Sequence, residues 1–424
     1  MPPTLKFKDK LFYGWVVVVT FLILGTAIWG IRYTFGVFFK SLESEFDLSR
    51  AATSAIYSTL MVLGGVFAIL GGWALDRYGP RIIFLLMGIF TGLGLVLTSQ
   101  TNTLWQLFIT FGLLLAMGTG LIYVGVMSTV SRWFDRKRGL AMGIASSGAG
   151  LGPLVLAPFA TYLITNFDWR TAYLVLGIVA WAIVIPLSRL LKRNPYEIGA
   201  QPDGIKTNLG KAQITQVAFP LASLSLRQAF RTRSFWLVMF VFLLFASSLL
   251  MVLTHLVPHA TDIGFSAVEA ATVLSLAGGA TIVGRVLLGI ASDRIGRKAA
   301  AAICTLLIAG AMVWLLWAKD LWMLYLFALI FGLAWGGMGP TMAALIGDTF
   351  GLGKLGVIIG ALDAGFSVGA AIGPIIGGRI FDVSQSYFIA FLLGAAVMLL
   401  ATLLVVLIRR ETNRNFADGK AVKY

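Results

Sequence analysis

Hydrophobic residues in this chain come in long unbroken runs, not in the three-and-four spacing of a helix buried on one side only. Each run is close to the roughly 20 residues a helix needs to cross a hydrocarbon layer about 30 Å thick. Gly, Pro and basic residues punctuate the runs. The pattern predicts twelve membrane helices, numbered in chain order, over 13–38, 51–75, 82–99, 103–131, 139–164, 170–190, 235–260, 267–291, 299–318, 321–347, 355–380 and 386–408.

Composition agrees, since 58% of the 424 residues are hydrophobic and only 12% are charged, too much apolar surface for a water-soluble domain to bury. The net charge of +15 would in another setting suggest nucleic acid. Here 26 of the 33 Lys and Arg fall at the two termini or in the connections after even-numbered helices. That asymmetry is an orientation signal, predicting that both termini are cytoplasmic, and it excludes a nucleic-acid partner. Met1 to Lys10 is basic but is followed by a full-length span without a small-residue cleavage site, so no removable signal peptide is expected. Cys304 is the only cysteine, so no intramolecular disulfide can form. The short connections point to the bacterial cytoplasmic (inner) membrane, and a monomer is expected.

The most specific signal is internal repetition. Gly72, Asp76, Arg77 and Gly79 after helix 2 recur as Gly289, Asp293, Arg294 and Gly296 after helix 8, each shifted by 217 residues. The same shift carries Gly139, Gly143, Gly148 and Gly152 of helix 5 onto Gly356, Gly360, Gly365 and Gly369 of helix 11. Two helix pairs in one register imply duplication. The fold class is therefore all-α membrane, with twelve helices in two pseudo-symmetric six-helix bundles and a site near the midplane between them. The expected organisation is an N-terminal bundle over 1–190, a Pro/Gly-rich basic cytoplasmic linker over 191–234 and a C-terminal bundle over 235–424. The glycines predict close helix packing.

The Gly-x-x-x-Asp-Arg-x-Gly pattern, followed by Arg81 in one copy and Arg297 in the other, resembles the signature loop of the major facilitator superfamily. That resemblance implies conformational gating by Asp76, Arg77, Arg81, Asp293, Arg294 and Arg297, through contacts that break in every cycle. A second segment, from Arg132 and Trp133 through Arg138 and Gly139 to Gly152 and Pro153, is similar to the helix 4–5 junction of monocarboxylate transporters and the related oxalate/formate antiporters. Tyr13-Gly14-Trp15 resembles the same group.

An independent signal points to an anionic substrate. Arg285 lies eight residues, or ~12 Å of helix, before Asp293, which places it near the midplane, where a charge needs a partner or a water-filled cavity. Its permanently charged planar fork fits a carboxylate. Arg32 occupies a similar depth in helix 1, where it either lines the site or reaches toward the external vestibule. In the resemblance, Arg285 falls where the group carries a substrate-binding arginine. Thr281 replaces an aspartate used for proton coupling, and Tyr33 replaces a helix 1 lysine. Tyr123 resembles a tyrosine of bacterial relatives by position only, and is either a candidate hydroxyl donor to a 2-hydroxy or 2-keto acid or a packing residue of the bundle. The proton site is open among Asp363, His259, His255 and Asp262. Pro258 is expected to disrupt helix 7 between the histidines, which speaks against a metal site. Trp335, Phe331, Phe366 and Tyr387 are candidate cavity walls.

These readings lead to a proton-coupled symporter of small monocarboxylates such as L-lactate or pyruvate, with an oxalate/formate-type antiporter as alternative and a drug exporter disfavoured by Arg285. The expected partners are the carboxylate, protons and the lipid bilayer. No phosphate-binding loop, zinc helix or nucleophile elbow is present in the sequence, so no enzyme, cofactor or metal is expected.

Overall fold

The computed structural model describes residues 12–134, 137–204, 224–351 and 355–409. Within them lie twelve helices long and apolar enough to cross a membrane. They are helix 1 (Tyr13–Glu45), helix 2 (Arg50–Tyr78), helix 3 (Pro80–Thr98), helix 4 (Leu104–Trp133), helix 5 (Gly139–Asn166) and helix 6 (Trp169–Ser188). The second half holds helix 7 (Arg233–Asp262), helix 8 (Ala267–Ile295), helix 9 (Arg297–Leu315), helix 10 (Leu321–Phe350), helix 11 (Leu355–Ser384) and helix 12 (Phe388–Leu407). An even number of spans puts Phe12 and Arg409 at one face, called here the termini face. Residues 205–223 of the predicted linker lie outside the described residues.

Helix ends sit where their capping chemistry puts them. Ser49 accepts from Ala52 N, Asp168 from Thr171 N and Thr232 from Phe235 N, and Ser266 forms a reciprocal capping box with Glu269. Gly79 and Gly296 close helices 2 and 8 at φ +82° and +93°. That backbone region is open to glycine at no steric cost, and the next helix starts directly after each.

Two predicted boundaries change. Helix 1 bends at Thr34 and continues to Glu45, past the predicted end at 38, because Lys40, Glu43 and Glu45 find ionic partners beyond the apolar layer. Helix 7 runs unbroken through Pro258 to Asp262, so the expected disruption is corrected. A membrane helix tolerates proline where neighbouring helices satisfy the freed backbone groups.

The halves repeat one packing scheme: helix 1 packs on 5, 2 on 4 and 3 on 6, while 7 packs on 11, 8 on 10 and 9 on 12. The repeated glycines explain part of it. A Cβ on Gly148 would come 2.6 Å from Thr26 N and one on Gly152 2.4 Å from Gly30 N, which brings helix 5 onto helix 1. Their counterparts Gly365 and Gly369 would meet Met239 O at 2.7 Å and Leu243 O at 2.0 Å, which brings helix 11 onto helix 7. The other half of each stripe differs from the packing expectation, because Gly139, Gly143 and Gly360 face open space with nothing within 4 Å.

That difference describes the state of the molecule. Helices 2 and 5 of the first half meet helices 11 and 8 of the second. The contacts run from Gly65 against Ser367 and Ser146 against Arg285 to Arg50 at the face opposite the termini. Toward the termini face the ends of helices 5 and 11 stand free around Gly139, Gly143 and Gly360. A cavity between the halves therefore opens to the termini face and is closed at the other.

Candidate functional site

Arg285 owes its position to a tight helix pair. Gly284 would place a Cβ 2.0 Å from Leu333 O, and Gly336 one 2.1 Å from Thr281 O, so helices 8 and 10 nearly touch backbone to backbone at this level. The next residue, Arg285, crosses to the first half, where one guanidinium nitrogen donates to the Ser146 carbonyl and to Ser146 Oγ at 2.9 Å. Arg285 thus joins helix 8 to helix 5 across the interface. One helical turn before it, Thr281 is fully buried and donates to Gly278 O at 2.8 Å, an ordinary intrahelical bond that leaves no ionisable group there.

The other predicted cavity residues gather around it. Tyr33 lies in the field of Arg32, Arg285 and Asp363, and its ring meets Trp335 edge-on at 5.5 Å. Tyr123, 39% exposed, lies in the field of Arg285 and Asp363. Asp363 on helix 11 is half-buried, lies within electrostatic reach of Arg32, and forms no hydrogen bond or ion pair among the described residues. Arg32 points inward to Met61 Sδ at 2.8 Å instead of reaching a vestibule, and its buried Nε has no hydrogen-bond partner. The cavity therefore holds two cations, one free carboxyl and tyrosines from helices 1 and 4. Of the proposed walls, Trp335 stands at the cavity, whereas Phe331 is fully buried and stacked on Phe327, and Phe366 packs toward Phe245.

His255, His259 and Asp262 lie elsewhere, in the closure at the face opposite the termini. Its centre is Arg50, only 6% exposed. The Arg50 guanidinium donates to both oxygens of Asp262 at 2.6 and 3.1 Å, to Glu43 at 3.2 Å and to the Tyr387 hydroxyl at 2.6 Å. It also covers the Phe381 ring at 3.6 Å. Asp382 accepts from the backbone N–H groups of Arg50 and Ala51 at 2.8 and 3.0 Å, and Lys40 reaches Asp262 at 2.6 Å. Helices 1 and 2 are thereby tied to helices 7 and 11.

The network also dictates the state of His255. Tyr387 accepts from Arg50, so its hydroxyl donates to His255 Nδ1 at 3.0 Å, and the opposite nitrogen carries the proton and donates to Pro374 O at 2.8 Å. Ser54 Oγ lies 3.3 Å from that nitrogen. His259 packs edge-on against Tyr387 and Phe391.

The signature loops face the open side. Arg297 forms an ion pair with Asp293 of the same half and donates to Ser292 Oγ at 3.0 Å. Arg77 lies over the rings of Trp73 and Tyr78, and Arg81 is exposed. Arg294 is also exposed, and the side chain of Asp76 is outside the described residues. No contact between the halves joins these loops among the described residues, as expected while the termini face is open.

Sequence reasoning passed over Arg50, Glu43, Asp382 and Ser146. A signal existed for Arg50: Lys40, Arg50, Arg170 and Lys319 are the few basic residues of a face that carries Glu43, Glu45, Asp47, Asp262 and Asp382. Ser146 had none, because a lone serine in a run of small residues does not show which helix it faces.

Comparison with known proteins agrees with this geometry. Residues 20–291 and 260–422 match the profile of the Major Facilitator Superfamily. The chain is 27% identical over 410 residues to monocarboxylate transporter 12 of Xenopus laevis, covering 93% of this chain and 88% of that one. It is 27% identical over 395 residues to monocarboxylate transporter 13 of Bos taurus, covering 91% and 87%. A bacterial homologue of the human lysosomal transporter Spinster, solved inward-facing and unoccupied, superposes with a TM-score of 0.67 at 15% identity, covering 96% of this chain and 98% of that one. Its inward-facing occupied form gives 0.69 at 14% identity, covering 96% of each. With both halves matched and the twelve-helix architecture shared, the chain belongs to the Major Facilitator Superfamily, as a secondary transporter distantly related to the monocarboxylate transporters.

Proposed function

We propose that the chain is a proton-coupled symporter of small monocarboxylates, such as L-lactate or pyruvate, working by alternating access. The termini face is the cytoplasmic one on the charge asymmetry of the connections, so the state described is inward-open. The observation that carries the reading is Arg285, an always-charged fork at the junction of the halves, held by Ser146 in place of a carboxylate. The names of the relatives, monocarboxylate transporters 12 and 13, point the same way.

In this mechanism Asp363 takes the proton, because it is the cavity acid without a bonded partner, whereas His255 and Asp262 are engaged in the closure. Protonation removes the charge that opposes an incoming anion beside Arg32. The carboxylate then takes the two-pronged bond of Arg285, displaces Ser146, and releases helix 8 from helix 5. A neutral load of anion and proton crosses the apolar layer with the reorienting halves at far lower cost than a bare charge. Tyr123 and Tyr33 offer hydroxyls to a 2-hydroxy or 2-keto oxygen.

The test is uptake of radiolabelled lactate into proteoliposomes with and without an inward proton gradient, for the native chain and Arg285→Ala. Gradient-driven uptake lost in the variant is expected, and full uptake by the variant would overturn the assignment. Arg32 supports a second reading, exchange of dicarboxylates or other organic anions, because it provides a second cation. That reading predicts uptake only into preloaded vesicles, independent of the gradient.

A further inference from the structure

A second charged concavity lies away from the transport cavity, on the termini face of the first half. It measures about 290 Å³ and is lined by Arg77, Arg81, Arg189, Lys192 and Arg193, with Glu197 as the only acid among the described residues. Five cations against one carboxylate leave a net charge of +4 around one hollow. Arg77, Arg81, Arg189 and Lys192 form no ion pair among the described residues. The wall is built, because Trp133 Nε1 donates to Lys192 O at 3.1 Å and the Tyr13 hydroxyl to Leu190 O at 2.9 Å, which pins the exit of helix 6. Lys192 Nζ is further held over the Tyr13 ring at 5.0 Å. The Gly79 turn supplies no side-chain cap to helix 3, so the first backbone N–H groups of that helix add to the positive field.

The counterpart hollow in the second half, about 450 Å³, is lined by Arg297, Lys298, Arg409 and Asp348 among others. Arg297 there is already paired with Asp293. The lining residues described leave +4 at the first hollow against +2 at the second, so the larger excess lies on the first half.

We propose that this hollow binds a phosphoryl oxyanion, and that its source is the headgroup of an anionic phospholipid. Guanidinium forks and a lysine suit phosphate oxygens. The setting favours a lipid over a free phosphate, because the hollow sits where the lipid-facing surface ends. Trp73 and Tyr78, 61% and 52% exposed, mark the interfacial level, and Ile82 and Leu86 of helix 3, 49% and 44% exposed, run from it into the apolar layer. An acyl chain attached to a phosphate in the hollow would lie along those residues. The charge favours an anionic headgroup over a zwitterionic one, since a choline or ethanolamine brings a cation for which Glu197 is the one carboxylate among the described lining residues. Basic hollows at this level of a membrane protein are suited to such lipids.

The experiment places the full chain in nanodiscs of phosphatidylcholine with rising fractions of phosphatidylglycerol, follows the melting temperature, and counts co-purified lipid by native mass spectrometry. The expected result is saturable stabilisation by phosphatidylglycerol, with apparent affinity on the order of 10-fold or more weaker in Arg189→Gln/Lys192→Gln, and unchanged in Arg409→Gln. The variant must melt like the native chain in pure phosphatidylcholine, and Arg189→Lys/Lys192→Arg, which keeps both charges, should restore most of the response. Equal stabilisation of native and charge-deleted chains, or an equal response to phosphatidylethanolamine, would overturn the proposal. A saturable response to millimolar inorganic phosphate in pure phosphatidylcholine discs would reassign the hollow to a soluble phosphoryl ligand and overturn the lipid assignment.

Discussion

Asp262 offers the sharpest test of how the halves are held together. It receives two bonds from Arg50 at 2.6 and 3.1 Å and one contact from Lys40 at 2.6 Å. Arg50 belongs to helix 2 and Asp262 to helix 7, so these bonds exist only while the face opposite the termini is closed. Asp262→Asn keeps the shape and removes the charge. Breaking one side of a buried ion pair costs about 3–5 kcal/mol. The Asp262 side chain is 24% exposed, that of Lys40 is 40% exposed, and Glu43 still pairs with Arg50, which lowers the expected loss to about 2–3 kcal/mol. Because both charges are hydrated when this face opens, the loss falls on the closed state alone. It should shift the ratio of the two states roughly 30- to 160-fold.

The shift is measurable by electron–electron resonance distances between spin labels at Leu140 and Val357, exposed residues at the open ends of helices 5 and 11. The background is Cys304→Ala, which removes the sole, buried cysteine. The native chain should give the longer distance, and Asp262→Asn a new shorter population. Asp320→Asn, at an exposed residue of the same face, should leave the distribution alone. A ratio unchanged within twofold in Asp262→Asn would refute the reasoning, since the Arg50 network would then contribute nothing to the choice of state.

Arg285→Lys keeps the charge but not the fork, and should raise the KM for lactate uptake about 10- to 100-fold by losing one charge-assisted bond of roughly 1.5–3 kcal/mol; a KM within threefold of native would remove the bidentate clamp from the mechanism. Asp363→Asn should abolish stimulation of uptake by a proton gradient and flatten its pH profile while sparing lactate–lactate exchange, and retained gradient-driven accumulation would place the proton elsewhere. Gly369→Ala puts a Cβ 2.0 Å from Leu243 O, whereas Gly360→Ala meets nothing within 4 Å. The first should lower the Tm by about 1–3 °C through overpacking and the second by under about 0.5 °C, as read by thermal denaturation in detergent; equal shifts would contradict the assignment of Gly360 to open space.

Features that depend on local composition or on repetition were legible along the chain. The apolar runs located all twelve helices, most to within a few residues, because the thickness of the bilayer sets helix length whatever the partners are. The shift of 217 residues from Gly72 to Gly289 revealed the duplication. Arg285 was legible as a candidate site residue because a cation flanked by apolar turns has few explanations in a membrane.

Tertiary structure decided what depends on who faces whom. Arg50 looked like one basic residue in a short connection, and only the approach of helices 2, 7 and 11 made it the centre of the closure. His255 and Asp363 are both ionisable residues within membrane helices, yet one is bonded at both ring nitrogens and the other is left free in the cavity. The glycine stripes of helices 5 and 11 read as uniform along the chain, while the structure divides each into a packed half and an open one. The physical reason is common to all three. A residue type and its depth follow from the chain alone, but its partner is chosen by contacts between segments hundreds of residues apart.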